Sequence, residues 1–236
     1  MNTHAVRRHT TRPTPSGDTA AQTARDWRPF ALLLIDVQRD FWPETVAAAF
    51  PAFPANVARL LACCRDEGVD VVHLRARFRP DGSDWLVNAR LRGRIPCVEG
   101  TPGAATLPFA REHRGEAVVT KRSWDGFQTA ELPAYLQDRG KRFLLLAGLV
   151  TSVCVLFTAA SAAQRGFLTA VVEDCCADRP EAHAQTLERY EGLVFRRTTV
   201  DRLPDSYAPW WAALRRLDEL QATAAVSAAA GEGRAR

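Results

Sequence analysis

The sequence predicts an α/β fold in three layers, with a six-stranded, mostly parallel sheet between two layers of helices. Short apolar runs alternate along the chain with segments that have helical periodicity. Many of these runs are followed by glycine, proline or a charged residue. This alternation is typical of βαβ units, in which helices cover both faces of a parallel sheet.

Six apolar runs are predicted as strands. The clearest is FALLLI at Phe30–Ile35, which is apolar at every position and therefore fits a strand buried on both faces. The others are Val69–Leu74, Ala117–Thr120, Phe143–Ala147, Phe167–Val172 and Leu193–Thr198. All six are short enough to be strands rather than amphipathic helices.

Helices are predicted between these strands from apolar spacing and end signals. In Asn56–Arg65 the apolar residues share one helical face, and Gly68 follows as a stop signal. Further helices are predicted at residues 129–138, 152–166, 180–190 and 201–217. The stretch from Arg75 to Pro108 is rich in proline and glycine and is predicted as a long irregular loop, a type of segment that is usually functional.

Composition predicts one globular domain with two tails. The 236 residues are 47% hydrophobic and 25% charged, which is ordinary for a soluble domain. The net charge of +4 arises entirely within residues 1–28 and 221–236, so no basic face for nucleic acid is expected. We assign residues 1–27 to a flexible N-terminal tail, residues 28–220 to the domain and residues 221–236 to a low-complexity C-terminal tail.

The six cysteines show no CxxC pair and no Cys/His spacing of a zinc site. Such usage fits reduced thiols in the cytoplasm better than a disulfide framework. No apolar run is long enough to cross a bilayer, so no membrane partner is expected. We therefore expect a cytoplasmic protein without a metal or other cofactor.

Cys154 lies where the fourth predicted strand gives way to a helix. Thr151 and Ser152 are good helix caps, so Cys154 falls in the first helical turn, near free N–H groups and the positive end of the helix dipole. A thiol at this position is expected to have a lowered pKa. The alternative is a buried cysteine that acts as a small hydrophobe.

Two further polar residues fall at the ends of predicted strands. Asp36 follows the first strand and Lys121 the third, and ligands of open α/β sheets bind at this edge. With Cys154 they form a set suited to nucleophilic acyl transfer, because the carboxylate can move the thiol proton and the ammonium can stabilise the thiolate. Backbone N–H groups before Cys154 are candidates to bind the oxyanion.

Three motifs carry a resemblance to the isochorismatase-like cysteine hydrolases. They are IDVQRDF at Ile35–Phe41, VVTKRSWDGF at Val118–Phe127 and GLVTSVCV at Gly148–Val155. The resemblance extends from about Phe30 to Val200. It implies a six-stranded parallel sheet, a catalytic triad of Asp36, Lys121 and Cys154, and a homo-oligomer. It further implies a cis peptide between Val150 and Thr151, with the N–H groups of Val150, Thr151 and Cys154 facing the oxyanion.

Two features favour the amidase branch of that family, which acts on amide, carbamoyl or lactam bonds of small molecules. HLRARF follows the second strand, where the metal-using nicotinamidases carry Asp-x-His, so no catalytic metal is expected. Cysteine stands at position 154, where many vinyl-ether-cleaving isochorismatases have none. The alternatives are vinyl-ether hydrolysis without a role for the thiol, and a non-catalytic binding protein on the same fold.

The substrate-binding residues are hypotheses drawn from position. Arg75 and Arg77 are candidates to hold a substrate carboxylate, with solvated loop charges as the alternative. Trp124 and Phe127 are candidates for an apolar wall, with core packing as the alternative. Gln38, Asp40 and Phe41 follow the first strand near the expected pocket mouth. For His73, His183, Cys175 and Cys176 we favour structural roles or leave the choice open.

Overall fold

The computed structural model describes residues 25–232, with side chains as far as residue 224. Six strands form one sheet in the order β3-β2-β1-β4-β5-β6, and every neighbouring pair is parallel. The strands are β1 Phe30–Ile35, β2 Asp70–Ala76, β3 Ala117–Lys121, β4 Phe143–Leu149, β5 Leu168–Ala177 and β6 Arg196–Thr198. The predicted α/β class and parallel sheet are confirmed.

Seven helices accompany the sheet within the described residues. They are α1 Glu44–Ala49, α2 Phe53–Asp66, α3 Val87–Arg92, α4 Glu131–Asp138, α5 Leu156–Gln164, α6 Pro180–Tyr190 and α7 Leu203–Glu232. Helices α2 and α7 contribute to the core on one face of the sheet, and α4, α5 and α6 to the core on the other. No helix among residues 25–232 is both long and apolar enough to span a membrane.

Residues along β1 alternate between the two cores. Leu32 and Leu34 face α2 and α7, whereas Leu33 and Ile35 face the opposite layer. All six residues of β1 are buried, because the strand lies in the middle of the sheet with helices on both sides. The order of the strands reverses between β1 and β4, since β2 and β3 extend the sheet on one side and β5 and β6 on the other. A crevice is therefore expected at the carboxyl ends of β1 and β4.

Gly148 allows β4 to approach β1 at that crevice. Its φ of +124° is in the region that favours glycine, and a Cβ atom there would lie 2.0 Å from the Ile35 carbonyl oxygen. The register between β4 and β5 also shifts between Leu146 and Gly148. Both irregularities therefore lie at the end of β4, just before the turn that carries Cys154.

Several predicted boundaries were wrong. Strand β5 continues to Ala177, since its acidic residues lie within the sheet, and α7 continues through Glu232 into the segment predicted as a low-complexity tail. Helices α1 and α3 were not predicted. Most of the predicted N-terminal tail lies outside the described residues, but Trp27 is 5% exposed and packs on Phe30 and Tyr207.

Candidate active site

Asp36, Lys121 and Cys154 lie together at the carboxyl ends of β1, β3 and β4. The Lys121 ammonium contacts both other groups, with Nζ 2.7 Å from Asp36 Oδ2 and 3.5 Å from Cys154 Sγ. Asp36 and Lys121 are 0% exposed and Cys154 is 3% exposed. The three groups therefore form one connected cluster in surroundings of low polarity.

Backbone contacts fix two members of this cluster. Asp36 has a φ of +51° and accepts a 2.8 Å hydrogen bond from the Ala76 N–H through Oδ1. Its Oδ2 is thus directed at the ammonium. Lys121 Nζ donates a further hydrogen bond of 2.8 Å to the Ser123 carbonyl, so the ammonium has three partners and is not free to swing out.

The protonation state of Cys154 differs from the prediction. Burial, together with the neighbouring Asp36 carboxylate, raises the pKa of the Cys154 thiol well above its ordinary value, although Lys121 acts in the opposite direction. The predicted lowering was wrong because the sequence does not reveal how deeply the sulfur is buried. Burial also raises the pKa of Asp36, against the pull of Lys121. A carboxylate with a raised pKa next to a thiol is suited to receive the thiol proton.

Lys121 stays charged in this setting. Burial opposes its charge, but the attraction of Asp36 and Cys154 outweighs burial and raises the pKa of Lys121. The cluster therefore combines a cation with a carboxyl group and a thiol whose pKa values are both raised.

Cys154 is carried by a π-helical turn, Thr151–Val155, that precedes α5. The Val150 carbonyl accepts hydrogen bonds from the N–H groups of Val153, at 3.1 Å, and Val155, at 3.3 Å. The cis peptide bond lies between Leu149 and Val150, one residue before the predicted position. Cys154 thus lies in the first turn after β4, as its sequence position indicated.

The turn is anchored from outside by Asp178, which the sequence did not single out, and by His183, for which a structural role was favoured. Asp178 Oδ2 accepts from the Ser152 N–H at 2.9 Å and from the Ser152 hydroxyl at 2.6 Å. Thr151 Oγ1 is 2.8 Å from His183 Nδ1. Asp178 follows β5 and His183 lies in α6, so only the tertiary fold brings them to the nucleophile.

Gln38 is a structural residue rather than a free substrate contact. Its amide nitrogen donates to the carbonyls of Ala76 and Ala104, both at 2.9 Å, and its oxygen accepts from the Ala76 N–H at 2.9 Å. The amide therefore ties β1 to β2 and to the long loop. Its neighbour Phe41 is half-buried against two hydrophobic clusters.

The two candidate arginines already have acidic neighbours within the chain. Arg75 is paired with Glu112, and its side chain is 14% exposed. Arg77 lies on the surface with Nη1 3.7 Å from Glu99 Oε1. The predicted grip on a substrate carboxylate stays a prediction for both arginines, and at Arg75 a substrate would have to compete with Glu112.

The two candidate aromatic residues have separate positions. Trp124 is 49% exposed and stacks on Phe157, with ring centroids 5.8 Å apart. Phe127 is 4% exposed and packs near Phe167, at the opposite end of the sheet from Cys154. Phe127 is therefore a core residue and not part of a substrate wall, because the short 3-10 turn Gly126–Gln128 directs it inward.

The remaining candidates are structural. His73 Nε2 is 2.9 Å from Glu116 Oε2, and Arg65 binds the same carboxylate. Cys175 and Cys176 are buried on opposite faces of the sheet, and burial raises the pKa of Cys176 to about 12. No cluster of three or more His, Cys, Asp or Glu side chains within the described part of the chain has the geometry of a metal site.

Comparison with known proteins places this site in a family. The family model described as "Isochorismatase domain" matches residues 30–201. The chain belongs to the isochorismatase family. Maleamate amidohydrolase of Pseudomonas putida is 33% identical over 207 residues, which cover 78% of this chain and 96% of that protein. Streptothricin hydrolase of Streptomyces noursei is 34% identical, over 65% of this chain and 57% of the relative.

Solved structures of the isochorismatase family agree with the fold. The crystal structure of a family member from Desulfovibrio vulgaris superposes with a TM-score of 0.69 at 30% identity, covering 77% of this chain and 99% of that one. The predicted membership in the family is therefore confirmed. The chain is an isochorismatase-family hydrolase with amidohydrolase relatives.

Proposed function

We propose that the protein is a cysteine-dependent amidohydrolase that cleaves a C–N bond of a small amide through a thioester intermediate. The observation that carries the proposal is the position of Lys121 Nζ, 2.7 Å from Asp36 Oδ2 and 3.5 Å from Cys154 Sγ. This arrangement links a thiol, a general base and a fixed positive charge.

In the first half of the reaction, Asp36 takes the proton of the Cys154 thiol as the sulfur attacks the amide carbonyl carbon. Because the resting thiol has a raised pKa, this proton transfer is coupled to attack rather than completed beforehand. The N–H groups of Val150, Thr151 and Cys154 bind the oxyanion. The C–N bond then breaks, Asp36 returns the proton to nitrogen, and ammonia or an amine leaves.

In the second half, water attacks the thioester and Asp36 accepts a proton from it. The C–S bond breaks, the sulfur leaves as a thiolate next to the Lys121 ammonium, and a carboxylic acid is released. Proton return to the sulfur restores the starting state. Lys121 keeps its charge throughout, so its role is electrostatic.

The substrate class that we infer is a primary amide or carbamoyl compound of low molecular mass. Support comes from the relative whose printed name is maleamate amidohydrolase, since the similarity spans 96% of that protein. The burial of Cys154, which is 3% exposed, also fits a small substrate better than a peptide.

The test measures release of ammonia from maleamate, N-carbamoylsarcosine and nicotinamide by the wild type, Cys154→Ala and Cys63→Ala. Cys63 is a matched control, because it is a partly exposed cysteine on α2, outside the site. We expect the wild type and Cys63→Ala to release ammonia from at least one amide, and Cys154→Ala to lose about 10³-fold or more of that activity. A thioester at Cys154, seen by mass spectrometry after rapid acid quench, is the expected intermediate.

Two results would contradict the proposal. Full activity of Cys154→Ala would exclude the thiol as nucleophile and favour the vinyl-ether reaction considered above. Absence of any Cys154-dependent ammonia release from these three amides would remove the assignment as a primary-amide hydrolase.

A further inference from the structure

His183 contacts the nucleophile turn although it is far from Cys154 in sequence. Its Nδ1 atom is 2.8 Å from Thr151 Oγ1, three residues before the nucleophile. Thr151 is 1% exposed, so its hydroxyl has no access to bulk water. The direction of the hydroxyl is therefore set by protein partners, and His183 is the partner that the structure provides.

The imidazole ring is itself held in place. The Phe50 ring meets it edge-on, with centroids 4.9 Å apart and an interplanar angle of 68°. Phe50 directly follows α1, which lies between β1 and α2. The ring is thus held between the segment that follows Asp36 and the turn that carries Cys154.

A second anchor acts on the adjacent residue. The Asp178 carboxylate holds the Ser152 N–H and hydroxyl, and it also accepts from the Arg179 N–H at 2.7 Å. The segment from the end of β5 into α6 therefore binds two consecutive residues of the turn. Asp178 holds Ser152, and His183 contacts the side chain of the preceding residue, Thr151.

We propose that His183 is a positioning residue that accepts the Thr151 hydroxyl hydrogen in its neutral form and thereby keeps the Thr151 N–H aimed at the oxyanion. This inference rests on the proposed acyl-transfer function. In the neutral tautomer that carries its proton on Nε2, Nδ1 is an acceptor, so the Thr151 hydroxyl donates to it. A protonated ring would donate instead, and the hydroxyl would have to turn toward another acceptor.

The surroundings favour the neutral ring at neutral pH. Burial lowers the pKa of His183, and Arg197 of β6 acts in the same direction, whereas Glu173 of β5 and Asp178 oppose them. The neighbouring Phe50 carries no charge. The structure thus keeps the imidazole in the form that can accept a hydrogen bond.

The test uses 4-nitrophenyl acetate as an acyl donor, because it reports thiol acylation without knowledge of the natural amide. Acylation breaks the ester C–O bond, forms acetyl-Cys154 and releases 4-nitrophenolate. We compare kcat/KM for the wild type, His183→Ala, His183→Asn, Thr151→Val and Cys154→Ala. Asparagine is the conservative replacement, since its side-chain oxygen can occupy the place of Nδ1, and His113→Ala serves as a control at an exposed histidine.

We expect His183→Ala and Thr151→Val each to lower kcat/KM by about tenfold, as is typical of one lost hydrogen bond to a buried group. The double variant His183→Ala/Thr151→Val should lower kcat/KM by no more than either single variant, because both substitutions remove the same contact. His183→Asn should stay within about threefold of the wild type. In the wild type, kcat/KM should fall as pH drops through the titration of His183, and that step should be absent from His183→Asn.

Equal kcat/KM in the wild type and His183→Ala, with turnover that depends on Cys154, would overturn this inference alone. Turnover that persists in Cys154→Ala would instead overturn the proposed function. If His183→Ala does not fold, the comparison of Thr151→Val with His183→Asn replaces it. A fall in kcat/KM in His183→Asn as large as in Thr151→Val would contradict a role of His183 as hydrogen-bond acceptor.

Discussion

The buried ion pair between Asp36 and Lys121 offers a test of the site that does not require a substrate. Both side chains are 0% exposed, and Nζ lies 2.7 Å from Oδ2. Lys121→Met keeps the length and apolar stem of the side chain but removes the charge. The Asp36 carboxylate then has no counter-ion, in surroundings that already raise its pKa.

The expected cost of Lys121→Met is about 4 kcal/mol of unfolding free energy at pH 7, the range found when one partner of a buried pair is removed. Asp36→Asn alone leaves an unpaired ammonium and should cost a similar amount. The double variant should lose at least about 2 kcal/mol less than the sum of the two single losses, because it buries no unpaired charge.

The pH dependence follows from the direction of the Asp36 shift. In Lys121→Met the folded state holds a proton on Asp36 at pH values where the unfolded chain has already released it. Stability of this variant relative to the wild type should therefore increase as pH falls from 7 to about 5. Without the attraction of Lys121, which lowers the pKa of Asp36, that pKa is higher in the variant than in the wild type. The pH range over which stability depends on Asp36 is therefore wider in the variant.

Urea denaturation followed by tryptophan fluorescence measures these free energies. The matched control is Lys141→Met, which removes a lysine 3.0 Å from Asp70, whose side chain is 28% exposed. The control should cost about 1–2 kcal/mol, since water can solvate the remaining carboxylate and one hydrogen bond is lost. Strict additivity of Asp36→Asn and Lys121→Met, or equal losses in Lys121→Met and the control, would refute the reasoning.

Two further predictions concern stability. Gly148→Ala should lower the free energy of unfolding by at least about 3 kcal/mol, because its Cβ would lie 2.0 Å from the Ile35 carbonyl oxygen. The control Gly166→Ala, with φ +86° and no heavy atom within 4 Å of the added Cβ, should lower it by about 1 kcal/mol. Equal losses in the two variants would disprove a steric cause. Hydrogen bonds from Arg65, the His113 N–H and His73 outweigh burial and lower the pKa of Glu116 from 4.5 to about 2. That stabilisation is present above pH 4.5 and lost as pH falls toward 2, so Glu116→Gln should cost on the order of 2–3 kcal/mol at pH 7 and much less at pH 3 in urea titrations. A pH-independent loss would show that the carboxylate charge is not responsible.

The sequence was most informative where local pattern and tertiary environment agree. β1 and α6 begin and end at the predicted residues, since an all-apolar run and a proline-initiated helix need little outside support. Strand β5 is different. The predicted strand ended at Val172, before two acidic residues. Glu173 is paired with Arg197 of β6 and Asp174 accepts from the Val200 N–H, so tertiary partners allow the strand to continue through these charges.

In the candidate site, too, some residues could be predicted from local pattern and others depend on tertiary contacts. Asp36, Lys121 and Cys154 were found from their positions at strand ends, which parallel topology brings to one edge. The contribution of His183 was not found, because no local signal reveals that α6 packs on the turn after β4. The pKa direction of Cys154 was also wrong, since capping residues suggest the helix dipole but carry no information about depth below the surface.

The order of the strands makes the proposed chemistry dependent on the completeness of the fold. Lys121 comes from β3, which lies at one edge of the sheet and pairs only with β2. Asp36 and Cys154 belong to the central strands, 118 residues apart in the chain by their numbering. Fraying of this single edge strand would remove the ammonium while most of the sheet stayed intact. Activity should therefore be lost during partial unfolding, before the core unfolds. A partly unfolded molecule would then be inactive, because its Cys154 thiol would lack the Lys121 ammonium.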